Sequence, residues 1–338
     1  MSRHATPSDT LAPPRNSLAA RGTVPKTMRA AVIERFGGPG VLTLRELPTP
    51  QPGPNDVLIR LHTAGVGEWD AWHREGGDAP DNPRFPIVLG TDGAGIVAAR
   101  GSKVRRFDEG DELYAYDYLR RGFYAEYVAV AASHAGRIPS TLDLGRAGAI
   151  ACIGLTALQG IDDQLRLKPG EAAAVHGASG GVGHLALQFA KLRGARVLGT
   201  GSGEDGLALV RALGADDALD GRHADLASAA RRFAPLGLDA ILTLVGGDSL
   251  ERLIDALRED GRVAWPNGVV PKPKKRRGID FLAYDATPGA REFERLTRAV
   301  EAARLKVHIG AEFALAEAAR AHQRLEAGHV LGKMVLRV

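Results

Sequence analysis

The run Ala172–Gly183, AAAVHGASGGVG, constrains this chain more than any other stretch. A short apolar segment passes into a loop of small residues. Val182, Leu185, Ala186, Phe189 and Leu192 then recur at spacings of three and four. That pattern predicts strand, tight turn and helix in direct succession. Such a turn gathers backbone N–H groups and the positive end of a helix dipole at one point, and glycines let a ligand come close. A dinucleotide diphosphate suits that point. Two glycine registers fit the loop: Ala178-Ser179-Gly180-Gly181-Val182-Gly183, or Gly181-x-Gly183-x-x-Ala186. The first is preferred because it begins where the strand ends.

A length of 338 residues is ample for two domains, and 44% hydrophobic residues can fill a core in each. No apolar run is read as approaching the roughly 20 residues of a membrane span, so no membrane association is expected. The single cysteine, Cys152, excludes an internal disulfide and a cysteine-rich zinc site. It precedes an apolar helix-like stretch and reads as a small buried residue, in a chain read as cytoplasmic. The net charge of +4 is unevenly spread. Residues 1–27 carry +3 and the loop 272–277, KPKKRR, carries +5, leaving −4 for the remainder. The body of the chain is therefore slightly acidic, and nucleic acid is not an expected partner.

Residues 1–27 are rich in Ser, Thr, Pro and Ala without an apolar period, and are expected to form a disordered tail. From Met28, strand-like runs broken by Gly and Pro follow one another: MRAAVIERF, VLTLREL, DVLIRLHTAGV, IVLGTDGAGIVAAR, EGDELYAY and FYAEYVAV. Beyond residue 148 the text alternates. Strands at 172–176, ARVLGT, DDALD, LDAILTLV, GRVAWPN and GIDFLAY are separated by helical patterns, including DSLERLIDALRED. Six such strands predict an α/β, doubly wound, mainly parallel sheet beside an irregular β domain. The expected division is 28–148 with 287–338 for the β domain, and 149–286 for the dinucleotide-binding domain.

Spread along the chain, LHTAGVGEWD, FPIVLGTDGAGIV, GDELYAY, GLTALQGI, HGASGGVG and HQRLEAGHVLGKMVL resemble the medium-chain dehydrogenase/reductases, in their zinc-independent quinone oxidoreductase-like branch. The resemblance implies a GroES-like substrate domain, a Rossmann domain and an active site in the cleft between them. Departures are informative too. Zinc-using members carry Cys where this chain has Gly67, and Gly-His-Glu where it reads Gly90-Thr91-Asp92. Neither Gly67 nor Thr91 offers a thiolate or imidazole, so no metal is expected. Without a Lewis acid to ionise an alcohol, the expected chemistry is hydride delivery from a reduced nicotinamide to an acceptor that is already electrophilic, a quinone or an α,β-unsaturated carbonyl compound.

The resemblance also carries individual positions. Thr156 would meet the nicotinamide carboxamide, and Ser179, Gly180, Gly181 and Val182 the diphosphate. Val245, Gly246, Gly247, Asn267 and Gly268 would line the nicotinamide pocket, and Lys333 would reach the cleft. Trp69, Asp70 and Trp72 are the substrate-cleft candidates. The two tryptophans either stack on a flat acceptor or serve as core aromatics, and Asp70 reads as fixing its loop. No proton donor stands out. After the second Rossmann strand comes Gly199-Thr200-Gly201-Ser202-Gly203, with no acid before Glu204. Ser202 could bond a 2′-phosphate, so NADPH is expected over NADH, which stays open. The lysine common in NADPH-using relatives falls at Gly206, leaving Arg222 or the 272–277 loop as substitutes. The edge strand 279–284 suggests a homodimer. Two other functions remain open: reduction of 2-enoyl thioesters, or a catalytically weak NADPH-binding sensor or nucleic-acid-binding protein.

Overall fold

The computed structural model describes residues 23–222 and 224–338. Most of the expected N-terminal tail, residues 1–22, lies outside the described residues. Its C-terminal boundary shifts, because Thr27 already belongs to the first strand, Thr27–Ile33.

Six parallel strands form one sheet in the order Asp217–Asp220, Arg196–Gly201, Ala172–His176, Leu238–Thr243, Leu257–Pro266 and Ile279–Tyr284. The chain starts in the middle, winds outward to one side, then returns and winds to the other. The strand order therefore reverses between Ala172–His176 and Leu238–Thr243, and the crevice beyond their C-terminal ends is where such sheets bind ligands. All five residues of Ala172–His176 are buried, as covering both faces with helices requires.

Helix Gly181–Leu192 packs Leu185, Ala186 and Phe189 into the core, all fully buried. Burial of a side chain such as Leu185 or Phe189 is worth about 1.5–3 kcal/mol. The helical pattern read over DSLERLIDALRED is shorter than expected. The helix is Asp248–Ile254, and Leu257 already pairs with Leu238 in the sheet. Asp260, with φ +61°, then turns the chain in the left-handed region. Strand pairing overrides the local helical period here.

The second body is built from antiparallel strands, except that Ile309–Ala314 runs parallel to the final strand. Asp56–Val66 pairs with Asp92–Arg100, Tyr127–Ala131 and the final strand Lys333–Arg337. Glu112–Tyr116 and Ala135–Arg137 extend that sheet on one side, and Ile309–Ala314 on the other. A smaller sheet holds Leu42–Pro48, Thr27–Ile33 and Ile87–Val88.

Between the bodies runs helix Leu144–Gln159, capped by Asp143 and continued by a π turn to Gln164. These 21 residues, Leu144–Gln164, are long and apolar enough to cross a membrane, contrary to the reading that no run approached that length. Small Gly, Ala and Thr residues disguise the apolar character in the sequence. In the fold, 83% of the most apolar window is buried, which makes this the central core helix. Cys152 lies buried within it.

Candidate active site

The turn after Ala172–His176 is held from the neighbouring strand. Thr200 Oγ1 accepts the Gly177 N–H at 3.0 Å and the Thr200 carbonyl accepts the Ala178 N–H at 2.7 Å. The His176 ring bridges Thr200 Oγ1 at 2.8 Å and Ser249 Oγ at 3.0 Å. Burial pushes this histidine down to about 4, so it is a neutral strut at physiological pH. Helix Gly181–Leu192 opens on Gly180 without any side-chain cap. Its first-turn N–H groups thus face the crevice with no intrahelical acceptor, the arrangement that binds an anion. Ser179 lies below this rim with its carbonyl accepting the Gly332 N–H at 2.8 Å. His184, likewise fully buried and held to about 4 by burial, makes a 2.6 Å hydrogen bond to the Gly181 carbonyl.

Most of the other expected coenzyme positions lie just beyond the C-terminal ends of strands in the same sheet. The Leu244 N–H bonds the His176 carbonyl at 3.0 Å, which brings half-exposed Val245 over Gly177. Gly246 abuts the Pro271 backbone so closely that a Cβ would sit 2.2 Å from its carbonyl oxygen. Gly247 takes φ +95°, where glycine is favoured. Asn267 donates to Asp285 Oδ2 at 2.7 Å, and Gly268 has open space around it. Thr156 sits deep within the core helix, its hydroxyl donating to the Cys152 carbonyl at 3.0 Å and keeping its lone pairs as acceptors. Ser202, at the start of helix Gly203–Ala212, pairs with His329 at 3.2 Å.

On the other body, three distant segments converge. Met334 pairs with Val66, so Lys333 stands opposite the turn at Gly67. The Lys333 ammonium lies 4.4 Å from the centroid of the Trp69 ring, and the Trp69 indole N–H donates to Thr91 Oγ1 at 2.7 Å. Trp69 also lies against Gly67, where a Cβ would fall 2.5 Å from the ring. The space a side chain at 67 would use is thus filled by indole. Thr91 is engaged by that same indole, and no group of three or more metal-ligating residues occurs among the described residues. A zinc ion does not fit this donor set.

Lys333 is 97% buried and its Nζ has no hydrogen-bond partner. Asp70 and Asp92 are fully buried, and each has one oxygen, Oδ1, without a partner. Asp70 Oδ2 accepts the Gly67 N–H at 2.9 Å and the Tyr124 hydroxyl at 3.3 Å. Asp92 Oδ2 accepts the Cys152 N–H at 3.2 Å. Burial raises Asp70 to about 7, against the attraction of Lys333, and raises Asp92 as well. Trp72 is separate. It lies half-exposed over Gly77, on the outer face of helix Glu68–Arg74.

The raised Asp70 has a sign that can be tested. Between its unfolded value near 4 and about 7, the folded protein holds a proton that the unfolded chain has released. The stability of the wild type relative to Asp70→Asn should therefore fall as pH rises from 4 to 7, by on the order of 1 kcal/mol per pH unit, and level off above 7. Urea denaturation of both proteins across that range measures it.

Sequence reading left Thr200, His176 and His184 without roles and gave no connection among Lys333, Trp69, Thr91 and Asp92. His176 was visible in the motif itself, but its partners stand on other strands.

Sequence profiles of known families match residues 53–140 as an alcohol dehydrogenase GroES-like domain and residues 213–336 as a zinc-binding dehydrogenase. The second match does not include Gly67, Thr91 or Cys152. A quinone oxidoreductase of Mus musculus is 31% identical over 92% of this chain and 98% of its own length. A solved NAD-dependent alcohol dehydrogenase is 34% identical with a TM-score of 0.85, covering 92% of this chain and all of its own. The Escherichia coli quinone oxidoreductase, solved with NADPH, is 25% identical with a TM-score of 0.81 over 92% of this chain and all of its own. With its parallel sheet, its GroES-like body and relatives of this similarity along nearly its whole length, the chain belongs to the medium-chain dehydrogenase/reductase family of oxidoreductases, in the quinone oxidoreductase-like branch.

Proposed function

We propose that this protein is a zinc-independent, NADPH-dependent reductase that transfers hydride to a quinone or an α,β-unsaturated carbonyl acceptor. The reaction is assigned to the cleft between residues 28–148 with 287–338 and residues 149–286. The observation that carries this reading is the Trp69 indole filling the space beside Gly67 and bonded to Thr91, with the Lys333 ammonium against its ring. That assembly leaves a fixed positive charge, and no metal, to act on an acceptor.

When bound, the reduced nicotinamide supplies the hydride. Ser179, Gly180, Gly181 and Val182 hold the diphosphate, and Thr156 accepts from the carboxamide. Val245, Gly246, Gly247, Asn267 and Gly268 enclose the ring, and Ser202 faces the 2′ position. Lys333 stabilises negative charge developing on the acceptor oxygen, an effect strongest where water is excluded. Asp70 holds a proton near neutral pH beside that charge and serves the same site as a proton reserve. Trp69 excludes water and presents an apolar wall. The protein is assigned to the cytoplasm as a homodimer through Ile279–Tyr284, which pairs on one side only with Leu257–Pro266 among the described residues.

Coenzyme oxidation against a panel of quinones and enones, before and after exhaustive chelation, tests the reading. Turnover that survives chelation is expected; activity restored only by stoichiometric zinc overturns it. Lys333→Met should lower kcat by about 10²-fold. Stability should fall as well, because the variant leaves the buried Asp70 and Asp92 carboxyls without the ammonium that attracts them. Steady-state kinetics beside thermal denaturation separates these two effects.

One observation favours 2-enoyl thioesters as acceptors. Lys272, Lys274, Lys275 and Arg277 are exposed on the loop whose Pro271 abuts Gly246. The loop itself is anchored by Arg276, which binds Glu251 at 2.8 Å and Asp255 at 3.3 Å. A phosphate-bearing acyl carrier would meet four cations there. Turnover confined to acyl thioesters would select that reading.

A further inference from the structure

The end of the second Rossmann strand, Arg196–Gly201, is where a dinucleotide fold discriminates the adenosine ribose. Neither substitute expected from the sequence for the missing lysine forms part of the cluster found there. The 272–277 loop joins strands three and four places away in the sheet, at least about 14 Å at ordinary strand spacing. Arg222 is exposed beyond the neighbouring strand. The residue that does arrive is His329, contributed from 127 positions further along the chain.

His329 adopts φ +49°, a left-handed conformation that only some non-glycine residues enter. Arg324 fixes it there, donating to the Gly328 carbonyl at 2.7 Å and the His329 carbonyl at 3.0 Å. The imidazole then lies between two side chains of the parallel-sheet body. Nδ1 is 3.2 Å from Ser202 Oγ, and Nε2 is 2.9 Å from Asp205 Oδ2. A carboxylate only accepts, so Nε2 carries the hydrogen, and Nδ1 is the nitrogen left to face a ligand. The cavity alongside, about 190 Å³, is lined by Asp205, His308, Arg324 and His329 among others. Asp205 and Glu204 bring negative charge from helix Gly203–Ala212. Arg324 brings positive charge from helix Ala318–Glu326, and His308 precedes strand Ile309–Ala314.

We infer that His329 reads the 2′ position of the coenzyme, binding a 2′-phosphate through Nδ1–H while Asp205 holds Nε2–H, with Ser202 as the second donor. This rests on the reading of the crevice as a nicotinamide dinucleotide site and deepens it. A 2′-hydroxyl makes no such demand, so NADH affinity does not depend on the His329 side chain. The reader of this site therefore comes from the C-terminal segment.

Reduced-nicotinamide fluorescence gives Kd for NADPH and NADH directly, without turnover. His329→Gln should weaken NADPH about ten-fold while leaving NADH unchanged. His329→Arg should keep NADPH binding tight, since a guanidinium donates readily to phosphate. If wild type binds both coenzymes and His329→Gln weakens them equally, or weakens neither, the assignment of His329 is overturned and the crevice reading stands. If the wild type binds neither, the crevice reading fails and takes this assignment with it.

Discussion

Gly183→Ala should cost this protein its coenzyme affinity, by about 100-fold or more, and about 3 kcal/mol of stability, at the upper end of what overpacking a core usually costs. A Cβ there would lie 2.1 Å from the Gly177 carbonyl oxygen and 2.8 Å from Ala178 Cα. Both obstacles are backbone, so no rotamer change relieves them. The turn itself must move, and with it the Thr200 hydrogen bonds that aim its N–H groups at the crevice. Gly180 is the internal control. Its Cβ would meet only the Gly177 oxygen at 3.5 Å, an ordinary contact. Gly180→Ala should therefore fold with nearly wild-type stability. Isothermal titration with NADPH, beside urea denaturation of all three proteins, separates a lost cradle from a lost fold. The contrast also bears on the glycine register. The position with no room for a side chain is the last of Ala178–Gly183, where close helix–strand packing is demanded.

The second large effect is expected outside the crevice. Arg74→Met should destabilise the protein by about 3–5 kcal/mol, the cost of breaking a buried charged network by removing one partner. Arg74 is fully buried at the end of helix Glu68–Arg74. Its guanidinium donates to the Gly37 carbonyl at 2.8 Å, contacts His322 Nδ1 at 2.9 Å, and pairs with Glu75 and Glu326. Because the guanidinium can only donate, His322 accepts at Nδ1. Its Nε2–H then faces the Tyr124 hydroxyl at 3.1 Å, which in turn donates to Asp70. Burial, followed by the Arg74 charge, holds His322 down to about 3, so this chain stays in one tautomer across the working pH range. Losing Arg74 strands the Gly37 carbonyl and His322 Nδ1 and loosens the helix that carries Trp69 and Asp70. Glu75→Gln, at a side chain 57% exposed, should cost under about 1 kcal/mol. Comparing the midpoints of chemical denaturation tests the pair, and equal small losses would show that Arg74 is not the keystone of this network.

The two results differ in how far they could be foreseen. Gly183 sits in a motif of contiguous residues, and its close approach is implied by strand, turn and helix in sequence. Arg74 carries no such signal, since an arginine ending a short helix ordinarily faces solvent, and its partner His322 lies 248 residues away. The same division runs through the candidate site. The turns at Ser179–Val182 and Val245–Gly247 were legible because each lies where a strand ends and a helix begins. The helix read through DSLERLIDALRED was overextended for the converse reason, since the sheet claimed Leu257 from outside the local pattern.

By itself, the amino-acid order determined the alternating sheet, the small-residue turn at its centre, and the absence of thiolate and imidazole at Gly67 and Thr91. These depend on hydrophobic period and backbone freedom, which act over a few neighbouring residues. Only the folded chain decided that Trp69 fills the space beside Gly67, that Lys333 is buried near Asp70 and Asp92, and that His329 meets Ser202. Each is a contact between segments far apart in sequence. Such contacts depend on strand register and on which charges burial leaves without water, and no local pattern encodes either.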